Sequence, residues 1–110
     1  MIDKLESLIV QFNDISKKMS DPDIVSDVQQ YSSLAKEHKR LSPIIPDVNN
    51  YIKKFYHLQE DEEILKGNDK ELKELIKDEI NPLKDELSLL EDKLKYFYYQ
   101  KIQMMIKILF

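Results

Sequence analysis

Two histidines, a run of four carboxylates and a few cations near aromatic residues are where this chain could do chemistry. His38 and His57 could serve as bases or metal ligands, but they stand nineteen positions apart, which is no ligand spacing. His38 also falls on an apolar phase, which gives it a packing or rim role. Glu60-Asp61-Glu62-Glu63 could hold a hard cation, yet such a run on a helix is a solvated face, and no loop has the spacing of a calcium site. Nucleophilic catalysis needs Ser, Cys or Thr beside an oriented base. The chain has no Cys and no Thr, and neither histidine has a serine beside it in a constrained turn. Its single glycine, Gly67, excludes a phosphate-cradling or dinucleotide loop. No catalytic residue, metal ligand, cofactor or small-molecule substrate is expected, and the chain reads as an interaction module and not an enzyme.

Tyr31, Tyr51, Phe55 and Tyr56 recur through the middle of the chain. A platform for stacking nucleotides would pair them with a basic groove. Only Lys36, Lys39, Arg40, Lys53 and Lys54 come near to supplying one, so the aromatics are expected to be core and rim. The net charge of −4 argues against non-specific attraction to nucleic acid or anionic lipid. The absence of Cys rules out disulfides and fits a reducing compartment. The opening MIDKLESLIVQF lacks the basic start and uniform apolar stretch of a secretory signal. No run approaches the ~20 apolar residues that span a bilayer. No membrane role and a cytoplasmic location are expected.

The elements that would carry these residues are helical. Ile2, Leu5, Leu8, Ile9, Phe12, Ile15 and Met19 recur at three- and four-residue steps, one apolar stripe on a helix. It stops at Ser20-Asp21-Pro22-Asp23, where Pro22 disfavours helical geometry at Asp21, and Ser26 or Asp27 caps the next helix. A second apolar phase, Val28, Tyr31, Leu34, His38, Leu41, Ile45, Val48, Ile52, Phe55, Leu58 and Leu65, survives across Pro43 and Pro46. That pattern allows two helices with a tight joint, and a single kinked helix is the favoured reading. Gly67-Asn68-Asp69 ends it, with a left-handed C-cap expected and Asp69 capping the third helix. The third stripe, Leu72, Leu75, Ile76, Ile80, Leu83, Leu87, Leu90, Leu94 and Phe97, is close to a coiled-coil seam, with a kink expected at Pro82. The fold class is all-α: two to three long antiparallel helices forming a kinked helical hairpin or small bundle.

The composition changes at Tyr96. Residues 1–95 are acidic and heptad-patterned, whereas residues 96–110 read YFYYQKIQMMIKILF without one acidic residue. Two segments are therefore expected: a helical domain over 1–95, and a tail over 96–110 that continues the last helix. Tyr98, Tyr99, Met104, Met105, Ile108, Leu109 and Phe110 would leave apolar area without a partner, so self-association through the tail is expected.

Several segments, in order, resemble bacterial-type peptide chain release factors of the first kind, which read UAA and UAG. They are Met1-Ile2-Asp3-Lys4-Leu5-Glu6, the turn Met19-Ser20-Asp21-Pro22-Asp23-Ile24-Val25-Ser26-Asp27, and Tyr31-Ser32-Ser33-Leu34-Ala35-Lys36-Glu37 followed by Leu41-Ser42-Pro43-Ile44-Ile45. Lys77-Asp78-Glu79-Ile80 and Leu89-Leu90-Glu91-Asp92-Lys93-Leu94-Lys95 complete the series. The resemblance covers about residues 1–95. Beyond it, the family continues with a sequence like LLLPKDPNDDKNI. If the third base of each codon from Lys95 onward is joined to the first two of the next, the genetic code admits I-L-L-L-P-K-D-P-N-D-D-K-N. The tail is thus expected to be an out-of-frame reading of the family's continuation.

The resemblance implies a role in translation termination on the ribosome, with the GTPase release factor as a further partner. The stop-codon-reading motif and the Gly-Gly-Gln loop of the family match no position here, so the truncated chain is expected not to release peptide alone. By charge, Lys36, Lys39, Arg40, Lys53 and Lys54 are the candidate contacts with the ribosome or that partner. A free-standing coiled-coil adaptor is the alternative. A tRNA-binding helical arm like that of seryl-tRNA synthetase is less favoured by the acidic charge.

Overall fold

A computed structural model describes the backbone of residues 1–109 and the side chains of residues 1–100. Among these, five helices and no strand are found: α1 (Ile2–Lys18), α2 (Pro22–Val25), α3 (Val28–Leu41), α4 (Ile45–Lys66) and α5 (Lys70–Leu109). The all-α expectation holds, with the chain divided into more pieces than two or three. It forms two compact units, Met1–Asn49 and Asn50–Phe110, and the division falls within α4.

In the first unit, α1 packs on α3. Leu5, Leu8 and Ile15 are buried, with Ile2, Ile9, Phe12 and Met19 half-buried beside them, so the whole predicted stripe faces inward. His38 stacks on Phe12 with ring centroids 4.7 Å apart, which gives it the packing role expected of it. The turn after α1 contains an added element, the four-residue α2, with Pro22 in its first turn and the Asp21 side chain accepting from Asp23 N–H at 2.9 Å. Proline suits that position because its missing N–H would find no helical acceptor there. Asp27 caps α3, accepting from Gln30 N–H at 3.2 Å. Val28 and Tyr31 are exposed, so the buried phase of α3 begins only at Leu34.

The single kinked helix expected over residues 28 to 65 is not found. α3 ends at Leu41 and α4 starts at Ile45, with the turn at residues 42–44 between them. Pro43 and Pro46 each lack a backbone donor and crowd the carbonyl four residues earlier. Two such losses within one turn break the ladder, and Pro46 lies in the first turn of α4, where an N–H is dispensable. The apolar phase persists because Leu41, Ile44 and Val48 are all buried across the joint.

The second unit is a helical hairpin. Tyr51 lies near Glu91 and Lys95, Lys54 pairs with Glu86, and His57 meets Glu79. Partners on α5 thus run backward as α4 runs forward, the antiparallel arrangement expected. The buried seam of α5 is Ile76, Ile80, Leu83, Leu87 and Leu94, with Leu90 half-buried, a strict alternation of four- and three-residue steps. Leu72 and Leu75 fall outside it, and Leu75 is 74% exposed.

The α4–α5 turn departs from the expected left-handed cap, since Gly67 does not take a positive φ. Its N–H donates to the Ile64 carbonyl at 3.0 Å, closing a tight right-handed turn. Asp69 does cap α5, accepting from Leu72 N–H at 3.1 Å. α5 runs without interruption through Pro82. The Leu94 end leads into Phe97 and Tyr98, which meet edge to face with centroids 5.9 Å apart and are half-buried, whereas Tyr96 and Tyr99 are exposed. The expectation of an uncovered apolar face on Met104, Met105, Ile108, Leu109 and Phe110 lies outside the described side chains.

Candidate functional site

The one place where the described residues gather chemistry is on the hairpin. α4 follows a seam through Tyr51, Phe55 and Leu58, and the next inward position, three residues on, is Asp61. Asp61 is only 3% exposed, the one buried charged residue among those described. The expectation that residues 60–63 are a uniformly solvated acidic face is therefore overturned. Glu60, Glu62 and Glu63 are exposed, but Asp61 shares the helix face of the seam and is carried inward with it.

His57 stands one turn before Asp61 on the same face, with Nε2 3.6 Å from Asp61 Oδ2. From α5, Glu79 brings Oε1 to 2.9 Å from the same His57 Nε2. Glu79 flanks the buried Ile76 and Ile80, so the heptad seam of α5 delivers it to the rim of the packed interface. One polar atom from each of the three residues lies within 4.8 Å of the others.

The electrostatics of the two carboxyls diverge. Burial pushes Asp61 above the ordinary carboxylate range, and hydrogen bonding to Glu79 and its charge add to the rise against the opposing pull of His57. The hydrogen bond from Asp61, followed by that from His57, holds Glu79 below its ordinary value. When the coupled pair shares a single proton, the two shifts place it on Asp61 and not on Glu79. Asp61 Oδ2 is buried without a hydrogen-bond partner. The cluster can hold a proton or a cation, and it holds no nucleophile.

The cations singled out in the sequence do not converge into a basic groove within either unit. In the first unit, Lys36 and Lys39 are exposed, while Arg40 is half-buried and forked onto Glu37, with Nε to Oε1 at 3.2 Å and Nη2 to Oε2 at 2.8 Å. In the second, Lys53 is exposed and Lys54 is half-buried in an ion pair with Glu86. The aromatics divide as core and rim. Tyr51 is buried and stacks on Phe55 at 6.2 Å between centroids, while Tyr31 and Tyr56 are exposed. A surface groove of about 610 Å³ is lined by Tyr56, Gln59, Glu60, Glu63 and Ile64, and another of about 540 Å³ by Lys70, Glu71, Glu74 and Leu75. Neither brings a nucleophile to a base. No helix of the described residues is long and apolar enough to cross a membrane.

Sequence reasoning missed the His57–Asp61–Glu79 cluster. A signal was present: extending the Tyr51, Phe55, Leu58 spacing by three lands on Asp61, and His57 lies four residues before it. Glu79 could be added only once the hairpin register was known.

Comparison with known proteins gives the family. The PCRF domain model matches residues 8–104, past the change of composition at Tyr96. The peptide chain release factor 1 of Finegoldia magna is 36% identical over 84 residues, covering 76% of this chain and 24% of that protein. That of Alkaliphilus metalliredigens is 39% identical over 85 residues, 76% of this chain and 24% of its own length. That of Campylobacter jejuni is 34% identical over 80 residues, 73% of this chain and 22% of its own. The chain thus spans about a quarter of the length of the curated relatives it matches. No solved structure matches it. With the family model aligned to most of its residues and an all-α fold beneath that alignment, the chain belongs to the PCRF-domain family.

Proposed function

We propose that this chain serves as the N-terminal helical domain of a peptide chain release factor that acts at UAA and UAG codons on the ribosome. The carrying observation is the PCRF-domain match over residues 8–104, with relatives that bear the name peptide chain release factor 1. The domain's part in termination is docking, because its described residues offer helical surface and no nucleophile–base pair. The GTPase release factor is the second partner in this reading, and the work is cytoplasmic. Lys36, Lys39 and Lys53 are the exposed cations among the candidate contacts. Arg40 and Lys54 contribute through the ion pairs that position them.

Residues 96–110 form a separate segment in this proposal, read out of the family's register. The support is the abrupt loss of acidic residues and the shifted codons, which admit the family's continuation step by step.

The test is a chimera. Residues 1–95 replace the corresponding segment of a complete release factor of the first kind, and peptide release is followed in a reconstituted system at UAA, UAG and UGA. Release at UAA and UAG near the parent rate, stimulated by the partner GTPase, is the expected result. A chimera that folds but neither binds ribosomes nor releases peptide overturns the reading and favours the adaptor.

A further inference from the structure

We propose that His57, Asp61 and Glu79 form a binding site for one divalent transition-metal ion of the zinc type, joining the two arms of the hairpin.

The geometry is close to what such an ion requires. Ligand atoms about 2.0–2.1 Å from a tetrahedral zinc stand roughly 3.3 Å from one another. The separations from His57 Nε2, 3.6 Å to Asp61 Oδ2 and 2.9 Å to Glu79 Oε1, lie on either side of that value. The third edge of the triangle is within 4.8 Å.

The placement is also that of a built site. His57 and Asp61 are one turn apart on α4, a spacing that sets two ligands on one helical face. Glu79 comes from α5, so an ion held by all three would cross-link residues 22 positions apart.

An independent observation points to a ligand. Asp61 Oδ2 is buried, lacks a hydrogen-bond partner, and faces His57 Nε2. A buried oxygen with unused lone pairs costs free energy unless a donor or a cation reaches it. A cation here would satisfy that oxygen and, as Asp61 ionises to bind it, would offset the charge of both carboxylates.

The donor set selects the kind of ion. One imidazole nitrogen with two carboxylates suits zinc and its first-row neighbours. Calcium takes six to eight oxygens, and magnesium is served by carboxylates and water. The side chains of His57 and Glu79 are 49% and 44% exposed, which leaves an entry path and room for water in the remaining position.

The experiment uses the full chain, stripped with chelator and titrated with zinc chloride in a calorimeter, with thermal melting followed in parallel. One ion per chain and a rise in Tm are expected. His57→Gln and Glu79→Gln change exposed side chains, and circular dichroism verifies their fold. Each is expected to weaken zinc binding at least about tenfold, since even outer partners of a metal site are worth that much. His38→Gln is expected to leave binding unchanged. No heat and no Tm shift at millimolar zinc overturn the proposal. So does unchanged affinity in either His57→Gln or Glu79→Gln, or calcium binding as tightly as zinc.

Discussion

His57 Nε2 and Glu79 Oε1 meet at 2.9 Å, linking α4 to α5 at the point where the apolar seam gives way to Asp61. Between this contact and the Lys54–Glu86 pair, both arms of the hairpin are fixed in register. An apolar heptad seam alone tolerates a slip by one repeat, because the same kind of residue returns to each position. A polar group on the seam with one matching partner removes that freedom. Sliding the helices by a heptad in one direction would set Leu72 in place of Glu79 against His57, and in the other would bring Glu86 to His57 but set Lys93 against Lys54.

That specificity comes at the expense of stability. Replacing buried ionic groups by apolar side chains is often neutral or stabilising by about 1–4 kcal/mol. Asp61→Leu extends the seam of Tyr51, Phe55 and Leu58 and removes the unsatisfied oxygen. In chelator-containing buffer, the variant is expected to unfold at higher urea concentration than the parent by about 1 kcal/mol or more. A less stable variant would mean that the polar cluster contributes net stability.

Tyr51 is one group whose ionisation opposes the fold at alkaline pH. Burial raises its phenol above the ordinary value of 10.0, with Glu91 adding to the rise and Lys95 opposing it. The charged form is therefore disfavoured in the folded state. Stability from Tyr51 is fully present below its unfolded value and is lost as pH rises through the higher folded one. Tyr51→Phe is expected to move alkaline unfolding to higher pH and to change neutral-pH stability little. Helical ellipticity and tyrosinate absorbance, recorded on one pH series, provide the check. Tyr98, also raised by burial, remains as a second alkaline group in the variant.

The helix caps act locally and can be tested one residue at a time. Asp69 and Asp27 each accept from a backbone N–H three residues on, at 3.1 and 3.2 Å. Asp69→Ala and Asp27→Ala are each expected to destabilise the chain by about 1 kcal/mol in urea unfolding. Asp69→Asn keeps the acceptor and should recover most of the loss.

These elements show what the sequence could reveal and where it stopped. The α1 stripe was legible because every apolar residue at helical spacing found a neighbour. The N-caps Asp27 and Asp69 were legible because Asp before a helix has a local reason to be there, whereas the left-handed C-cap expected at Gly67 did not form. The break at residues 42–44 was only half legible, since two prolines announce a disturbance but the buried Leu41, Ile44 and Val48 keep the phase of a continuous helix. Leu72 and Leu75 show that spacing alone does not bury a residue, as the α5 seam is packed only from Ile76 onward. The cluster was least legible. Four adjacent carboxylates look alike in composition, and only the phase of α4 picks out Asp61, while Glu79 arrives from the other helix.

The segment after Lys95 is mixed in its described part: Tyr96 and Tyr99 are exposed, Phe97 and Tyr98 half-buried. The rest is apolar apart from Gln100, Lys101, Gln103 and Lys107. A segment of that composition carries enough apolar area to favour contact between copies wherever it is left uncovered. Deleting residues 96–110 is expected to lower the ratio of weight-average mass to chain mass in sedimentation at high concentration, with ellipticity per residue unchanged. The out-of-frame reading predicts more. The nucleotide sequence, read one base out of register from codon 95, should encode the family's continuation past the thirteen residues already admitted by the code. A stop codon or an unrelated sequence in that register would make the segment a genuine part of the gene. Self-association through it would then be a selected property and not an accident of reading frame.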